Sequence, residues 1–167
     1  MTLNRGTNAT GETRIGEDVL IMTGVHVAHD CIIGNNVILV NLVALGGHVE
    51  IDDWAILGGA SNAHQFCKIG KHAMVAANSK LVQDVPPFML ADGFPAEVRS
   101  VNKIGMERNG FSSDDMDAAR GIFKTLYKSD LNRSQAIQSL SEDSSWAGKP
   151  LTKEITDFIR KSERGVA

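Results

Sequence analysis

Aliphatic residues recur at every sixth position over most of the first half of the chain. The positions in phase are Ile15, Ile21, Val27, Ile33, Leu39, Leu45, Ile51, Leu57, Ala63, Ile69, Val75 and Leu81. A small or β-branched residue stands four positions after each, as Val19 does after Ile15. Neither the 3.6-residue period of a helix nor long two-residue alternation fits this spacing. The pattern predicts a triangular solenoid of short strands in which residues eighteen apart stack on each other.

Burial between stacked coils is the predicted source of stability. Each large aliphatic side chain that points inward contributes about 1.5–3 kcal/mol, and no coil stands alone. Cys31 and Cys67 lie two coils apart in this scheme. Because stacked strands are about 4.8 Å apart, their separation is near 10 Å, beyond the reach of a disulfide. Both are therefore predicted to be buried free thiols.

The repeat ends at Pro86 and Pro87, which cannot donate hydrogen bonds to a strand ladder. We predict a β-helix over residues 1–86, a linker over 87–110, and a small α-helical domain over 111–167.

Helical spacing of apolar residues recurs in the last third of the chain. Ser112 or Ser113 precedes two aspartates and is predicted to cap a first helix. Further helices are predicted over 133–140 and 151–161.

Composition excludes several classes of protein. The chain has 43% hydrophobic residues and a net charge of −3, with 17 basic and 20 acidic side chains interspersed. This balance indicates neither a nucleic-acid partner nor a polybasic membrane anchor. No stretch reaches the roughly 18 apolar residues of a membrane span, and the N-terminus lacks the apolar block of a signal peptide. The prediction is a cytoplasmic protein without a membrane span.

One face of the predicted prism collects most of the histidines. His29, Gly47 and Gln65 are eighteen residues apart and fall in one vertical file. His26, His48 and His64 lie beside that file, whereas His72 lies on another face. Histidine next to Asp30 suits a general base, because its pKa is near the operating pH and a carboxylate can orient it. A solvated polar edge is the alternative interpretation.

The chain resembles the bacterial hexapeptide acyltransferases and, among them, the UDP-N-acetylglucosamine 3-O-acyltransferase family. The motifs that carry this resemblance occur in the family's order. They are Asn4-Arg5-Gly6-Thr7, His26-Val27-Ala28-His29-Asp30, Gly47-His48-Val49, His64-Gln65-Phe66-Cys67, Gln83-Asp84-Val85-Pro86-Pro87, Asn109-Gly110-Phe111-Ser112 and Arg164-Gly165-Val166. The resemblance implies a left-handed parallel β-helix with a C-terminal helical domain.

The resemblance also implies an activity in lipid A biosynthesis. A (R)-3-hydroxyacyl group would pass from acyl carrier protein to the 3-hydroxyl of UDP-N-acetylglucosamine. His29 would be the general base, Asp30 would steady its imidazole, and the Gly47 amide would stabilise the oxyanion. The implied reaction needs no metal and no cofactor beyond the phosphopantetheine of the carrier protein.

Substrate contacts and partners follow from the same resemblance. His26, His48, His64 and Gln65 would line the cleft, while Asn102 and Arg108 would reach the nucleotide. The implied assembly is a homotrimer whose clefts lie between subunits. A basic patch would dock the acidic carrier protein, and its candidate members are Lys68, Lys71, Lys80, Arg99 and Lys103.

Three other readings stay open from the sequence. Family members have several more coils before the segment that begins here, so the chain could be a weakly active or non-catalytic trimeric scaffold. A zinc enzyme of the hexapeptide carbonic anhydrase kind would hold metal with histidines from adjacent subunits. An N-acyltransferase acting later in the same pathway is the third, although Ala28-His29-Asp30 and the helical tail favour the O-acyltransferase.

Overall fold

The computed structural model describes residues 1–167 and begins with thirteen two-residue strands. Strands β1 to β13 are Thr2–Leu3, Arg14–Ile15, Leu20–Ile21, His26–Val27, Ile32–Ile33, Ile38–Leu39, Ala44–Leu45, Glu50–Ile51, Ile56–Leu57, Asn62–Ala63, Lys68–Ile69, Met74–Val75 and Lys80–Leu81. They form three parallel sheets in which every third strand is a neighbour, with orders β1-β4-β7-β10-β13, β2-β5-β8-β11 and β3-β6-β9-β12. The predicted parallel β-helix is confirmed.

The register confirms that residues eighteen apart stack. Val27 pairs with Leu45 and Leu45 with Ala63, one coil at a time. The first coil is the exception, because Leu3 pairs with Val27, which is 27 − 3 = 24 positions later. Six residues beyond the repeat therefore leave the prism between β1 and β2 as part of a loop.

The core of the solenoid consists of the predicted inward aliphatics. Leu39, Leu45 and Leu57 are at most 1% exposed, and they belong to one continuous apolar cluster that extends into the C-terminal helices. Cys31 and Cys67 are buried free thiols, as predicted.

The corners of the prism place bulky residues in the left-handed backbone region. Asp30, His48 and Phe66 occupy one corner in successive coils, with φ of 61°, 58° and 66°. Positive φ is uncommon for residues other than glycine, and such positions persist where the surrounding structure imposes them. Here ladder bonds impose it, since the His48 amide donates to the His29 carbonyl at 3.0 Å and the Phe66 amide to the Gly47 carbonyl at 3.0 Å.

Residues 87–110, which the sequence predicts to be a linker, form ordered structure. β14 (Met89–Gly93) continues the third sheet parallel to β12, and β15 (Ala96–Val101) folds back antiparallel to it. α1 (Lys103–Arg108) follows. The prolines stop the hexapeptide repeat, but the chain after them still pairs with the last coil.

Three longer helices confirm the predicted helical domain: α2 (Ser113–Tyr127), α3 (Arg133–Glu142) and α4 (Pro150–Lys161). Ser112 caps α2 through a reciprocal capping box with Asp115. The longest helix has 15 residues, and none combines the length and apolarity needed to cross a bilayer.

The C-terminus is tied back to the last coil. The Ser162 hydroxyl donates to the Asp84 carboxylate at 2.6 Å, and the Arg164 guanidinium donates to the Val82 carbonyl at 3.0 and 3.1 Å. The Ala167 amide also donates to the Asp84 carbonyl at 2.9 Å. These bonds fix the helical domain against the end of the prism.

Candidate active site

His29 and Asp30 lie one residue after the end of β4, at the corner where the chain turns towards β5. The Nδ1 atom of His29 lies 2.7 Å from the Asp30 Oδ2 atom. The His29 ring is 44% exposed, whereas the Asp30 carboxylate is wholly buried. A buried carboxylate that accepts the Nδ1 hydrogen leaves Nε2 as the free acceptor of the neutral ring. The pair thus has the arrangement of a general base and its orienting acid.

Four hydrogen bonds fill the acceptor positions of the Asp30 carboxylate. Oδ1 accepts from the Thr7 amide at 2.8 Å and from the Thr10 hydroxyl, while Oδ2 accepts from the Thr7 hydroxyl at 2.7 Å and from His29. Burial raises the pKa of Asp30, but the bonds from Thr10, Thr7 and His29 outweigh it and hold that pKa well below its usual range. Asp30 is therefore a permanent anion beside the imidazole.

Gly47 lies directly beside the His29 ring in the next coil. A side chain there would collide with the imidazole, because a Cβ atom would be 2.6 Å from its Cε1 atom. The Gly47 amide makes no hydrogen bond within the protein. On another face of the prism, the amides of Glu17 and Asn35 at the equivalent position are bonded to the side chain eighteen residues later, as the Asn35 amide is to the Asp53 carboxylate at 2.7 Å. Gln65 follows Gly47 at that spacing and leaves the amide free.

His48 and Phe66 continue the corner column below Asp30. The His48 Nε2 atom is 3.6 Å from Asp30 Oδ2, and its ring meets the His29 ring edge-on with centroids 5.3 Å apart. The Phe66 ring stacks on His48 at 4.6 Å and stays half exposed. This column places an apolar side chain two coils from the His29–Asp30 pair, with the His48 ring between them.

The other predicted cleft residues lie on the same side. His26 is bonded through Nδ1 to the Thr2 hydroxyl at 2.7 Å, and His64 through Nδ1 to the Gln65 carbonyl at 3.1 Å. Both His64 and Gln65 are exposed. The structure thus brings His26, His48, His64 and Gln65 onto the face that carries His29.

Asn102 and Arg108 lie apart from this face, at the two ends of α1. The Asn102 amide group is buried and used within the chain, where it donates to the His72 carbonyl at 2.9 Å and accepts from the Gly105 amide at 3.0 Å. Arg108 is exposed and has no acidic partner. Their predicted contacts with a nucleotide stay predictions.

A cavity of about 890 Å³ opens beside His29. Its other walls come from the loop between β1 and β2, and the lining residues are Leu3, Asn4, Arg5, Gly6, Thr7, Asn8 and Gly11. Substrate bound there would meet the exposed edge of the imidazole.

Three residues contribute to the site but were not predicted from the sequence as site residues: Thr7, Thr10 and Phe66. The sequence carried no signal for the threonines, because Leu3 and Ile15 are two whole hexads apart and the hexapeptide phase is kept between them. Phe66 carried no signal of its own beyond its place in a resembling motif.

A metal ion fits this arrangement poorly. His29, Asp30 and His48 bring possible ligand atoms within 4.8 Å of one another. However, both Asp30 oxygens already accept two hydrogen bonds each, so a metal would have to displace Thr7 or Thr10. The donor set favours acid–base chemistry over the zinc alternative.

Comparison with known families gives two matches within the chain. Residues 84–167 match the family described as UDP-N-acetylglucosamine O-acyltransferase, domain 2. Residues 12–47 match the bacterial transferase hexapeptide, six repeats. The first match covers the C-terminal half of the chain with the helical domain, and the second covers part of the solenoid.

Curated relatives are similar along nearly the whole chain. The acyl-[acyl-carrier-protein]–UDP-N-acetylglucosamine O-acyltransferase of Burkholderia mallei is 44% identical over 168 aligned residues, which cover 99% of this chain. The protein of the same name from Burkholderia thailandensis is 42% identical. The chain spans 64% of the length of both relatives.

Solved structures agree with this similarity. LpxA from Acinetobacter baumannii superposes with a TM-score of 0.94 at 38% identity, covering 99% of this chain and 64% of the other. The UDP-N-acetylglucosamine acyltransferase of Campylobacter jejuni gives a TM-score of 0.90 at 38% identity, covering 99% and 66%.

Proposed function

Because the chain belongs to the UDP-N-acetylglucosamine O-acyltransferase family, we propose that it catalyses acyl transfer in lipid A biosynthesis. The acyl donor is a (R)-3-hydroxyacyl thioester on acyl carrier protein, and the acceptor is the 3-hydroxyl of UDP-N-acetylglucosamine. The observation that carries the proposal is the half-exposed His29 ring, held by the buried Asp30 carboxylate next to the unbonded Gly47 amide.

The geometry supports a direct transfer. His29 Nε2 takes the proton of the sugar 3-hydroxyl as its oxygen attacks the thioester carbonyl. The Gly47 N–H donates to the oxyanion that forms, while Asp30 stabilises the imidazolium. Collapse of the tetrahedral intermediate breaks the carbon–sulfur bond, and His29 returns its proton to the leaving thiolate. The products are the 3-O-acyl sugar nucleotide and the free thiol of the carrier protein.

Substrate binding involves the face around this pair. His26, His48, His64 and Gln65 offer polar groups to the sugar, the diphosphate and the pantetheine arm, and Asn102 and Arg108 contact the nucleotide. No cofactor and no metal take part.

The working assembly in this proposal is a homotrimer. Exposed aliphatic side chains support it, since Leu20 and Ile32 on the sheets and Leu42 at a corner are 48%, 41% and 62% exposed. Two buried free cysteines fit a reducing compartment, which agrees with action in the cytoplasm.

Acyl carrier protein docks on basic side chains in this proposal. Lys68, Arg99 and Lys103 already face acidic partners, at 3.1, 2.8 and 3.2 Å. Lys71 and Lys80 have no such partner, so they are the stronger contributors to an acidic docking site.

The decisive experiment incubates the protein with UDP-N-acetylglucosamine and 3-hydroxyacyl carrier protein and follows the 3-O-acyl product by mass spectrometry. We expect product with the unmodified chain. His29→Ala should lower kcat by roughly 10²–10⁴-fold, because general base catalysis contributes about that much. Gln138→Ala on the exposed side of α3 is the matched control. A stable oligomer that yields no product would instead identify a non-catalytic scaffold.

A further inference from the structure

The first coil contains six more residues than the repeat requires. β1 and β4 pair across 24 positions, whereas β4 and β7 pair across 18. The excess residues lie in a loop over residues 4–13, which we call the threonine loop because it contains Thr7, Thr10 and Thr13. The loop contains no strand, so the packing of the sheets does not constrain its sequence and its side chains can contact the site.

The threonine loop folds over Asp30 and supplies most of its hydrogen bonds. The Thr7 amide and hydroxyl donate to the two carboxylate oxygens at 2.8 and 2.7 Å, and the Thr10 hydroxyl donates to Oδ1. The Asp30 amide donates to the Thr13 hydroxyl at 2.9 Å. No lysine or arginine contacts this carboxylate. Neutral donors from one loop therefore hold a buried anion.

The bonding pattern decides where the hydroxyl protons point. Thr7 Oγ1 accepts from the Ala9 amide at 3.2 Å, which leaves its own proton for Asp30. Thr10 Oγ1 lies within reach of both the Glu12 carbonyl, at 3.0 Å, and Asp30. A hydroxyl has one proton, and the charged acceptor forms the stronger bond.

We propose that Thr7 and Thr10 are positioning residues for the acyl transfer, which they serve by holding Asp30 so that one lone pair of Oδ2 faces His29 Nδ1. This inference rests on the proposed function. Thr7 has the larger role, because its hydroxyl occupies the second lone pair of the same oxygen. Without it, Oδ2 is free to turn towards His48 Nε2, which is 3.6 Å away. His29 then loses its fixed tautomer and orientation.

The test compares Thr7→Val, which removes only the hydroxyl, with Thr7→Ser, which keeps it. Thr23→Val, at an exposed position of another corner, is the matched control. We expect Thr7→Val to lower kcat roughly 10- to 100-fold, as the loss of groups that orient a reacting residue does elsewhere, with KM little changed. Thr7→Ser should restore most of kcat. Thr10→Val should lower kcat less, and it provides a second variant if Thr7→Val folds poorly.

A structural role alone would not move the pH profile. In Thr7→Val the Oδ2 atom of Asp30 can turn towards His48, so it stabilises the protonated His29 ring less. The acid limb of kcat/KM should therefore shift to lower pH in Thr7→Val and stay in place in Thr7→Ser and Thr23→Val.

A second measurement does not depend on turnover: the ¹³C NMR signal of the Asp30 carboxyl carbon is followed as pH is lowered. We expect Asp30 to stay ionised to the lowest pH at which the native chain is folded, and to titrate at higher pH in Thr7→Val. The native chain could transfer no acyl group while Asp30 still titrates at higher pH in Thr7→Val than in the native chain. That result would contradict the proposed function but support the role of Thr7 in holding Asp30. If the native chain is active and Thr7→Val matches Thr23→Val in kcat and pH profile, the inference is overturned.

Discussion

At Gly47, the addition of a single methyl group should strongly lower the rate of acyl transfer. A methyl group there would meet the His29 ring at 2.6 Å, so the imidazole has to move away from the unbonded amide. We expect Gly47→Ala to lower kcat by about 10²-fold, since misplacing a reacting group by an ångström costs about this much. Steady-state kinetics of acyl transfer checks it.

Gly59 provides the control for this substitution. A Cβ atom at Gly59 would find its nearest neighbours at 3.4 and 3.5 Å, which is close to ordinary contact. Gly59→Ala should therefore leave kcat unchanged. Equal activity of the two variants would show that Gly47 has no special place beside His29.

Among the helices and strands, α2 begins at a capping box formed by side chains of its first turn. The Ser112 hydroxyl accepts from the Asp115 amide at 3.1 Å, and the Asp115 carboxylate accepts from the Ser112 amide at 3.2 Å. Ser112→Ala should lower the free energy of unfolding by about 1 kcal/mol, the usual cost of a lost N-cap. Urea denaturation measures this, with Ser113→Ala as the control, since Ser113 lies inside the helix and caps nothing. An equal loss in both variants would contradict the capping role.

The sequence predicts the elements where one physical rule dominates. The hexapeptide period defines the strands because every inward position faces the same apolar core, and caps define α2. Residues 87–110 break the period, so their pairing with β12 depends on tertiary contacts that the local sequence does not show. The threonine loop could not be predicted for the same reason, since only the register of β1 on β4 reveals the excess residues.

The file of His29, Gly47 and Gln65 could be predicted because eighteen-residue stacking is a property of the repeat. The hydrogen bonds that hold Asp30 could not, because they join residues 20 and 23 positions apart through a loop outside the repeat.

At the scale of the whole molecule, one buried histidine links the prism to the helical domain. His72 stacks between Trp54 and Phe88, with centroids at 5.9 and 5.6 Å, and meets Phe111 edge-on. Its Nδ1 atom is buried without a hydrogen bond. Burial, with a smaller contribution from nearby Lys71, lowers the pKa of His72 to about 4. The folded chain therefore favours the neutral ring.

This predicts a loss of global stability in acid. As pH falls from about 6.5 towards 4, the unfolded chain binds a proton at His72 that the folded chain does not, so stability present at neutral pH is lost. Each pKa unit corresponds to about 1.4 kcal/mol, which gives a total of roughly 3 kcal/mol. His72→Phe should flatten this dependence. Urea denaturation near pH 7 and pH 4.5, at one protein concentration, measures it.

The control for His72→Phe is His64→Gln, at an exposed histidine. It should keep the acid sensitivity of the native chain. If the free energy of unfolding of His72→Phe falls between pH 7 and pH 4.5 as much as that of the native chain, other groups cause the loss of stability in acid.

The threonine loop also shows which changes of length this architecture tolerates. One turn of the prism takes eighteen residues, so six residues incorporated into the first coil would rotate everything downstream by a third of a turn and carry His26 and Val27 away from Thr2 and Leu3. The six extra residues avoid this only by bulging out at a corner, where the faces on either side keep their alignment. Insertions and deletions that preserve catalysis should therefore occur either as whole turns or as corner bulges, which makes the loops between strands the places where new specificity can be added.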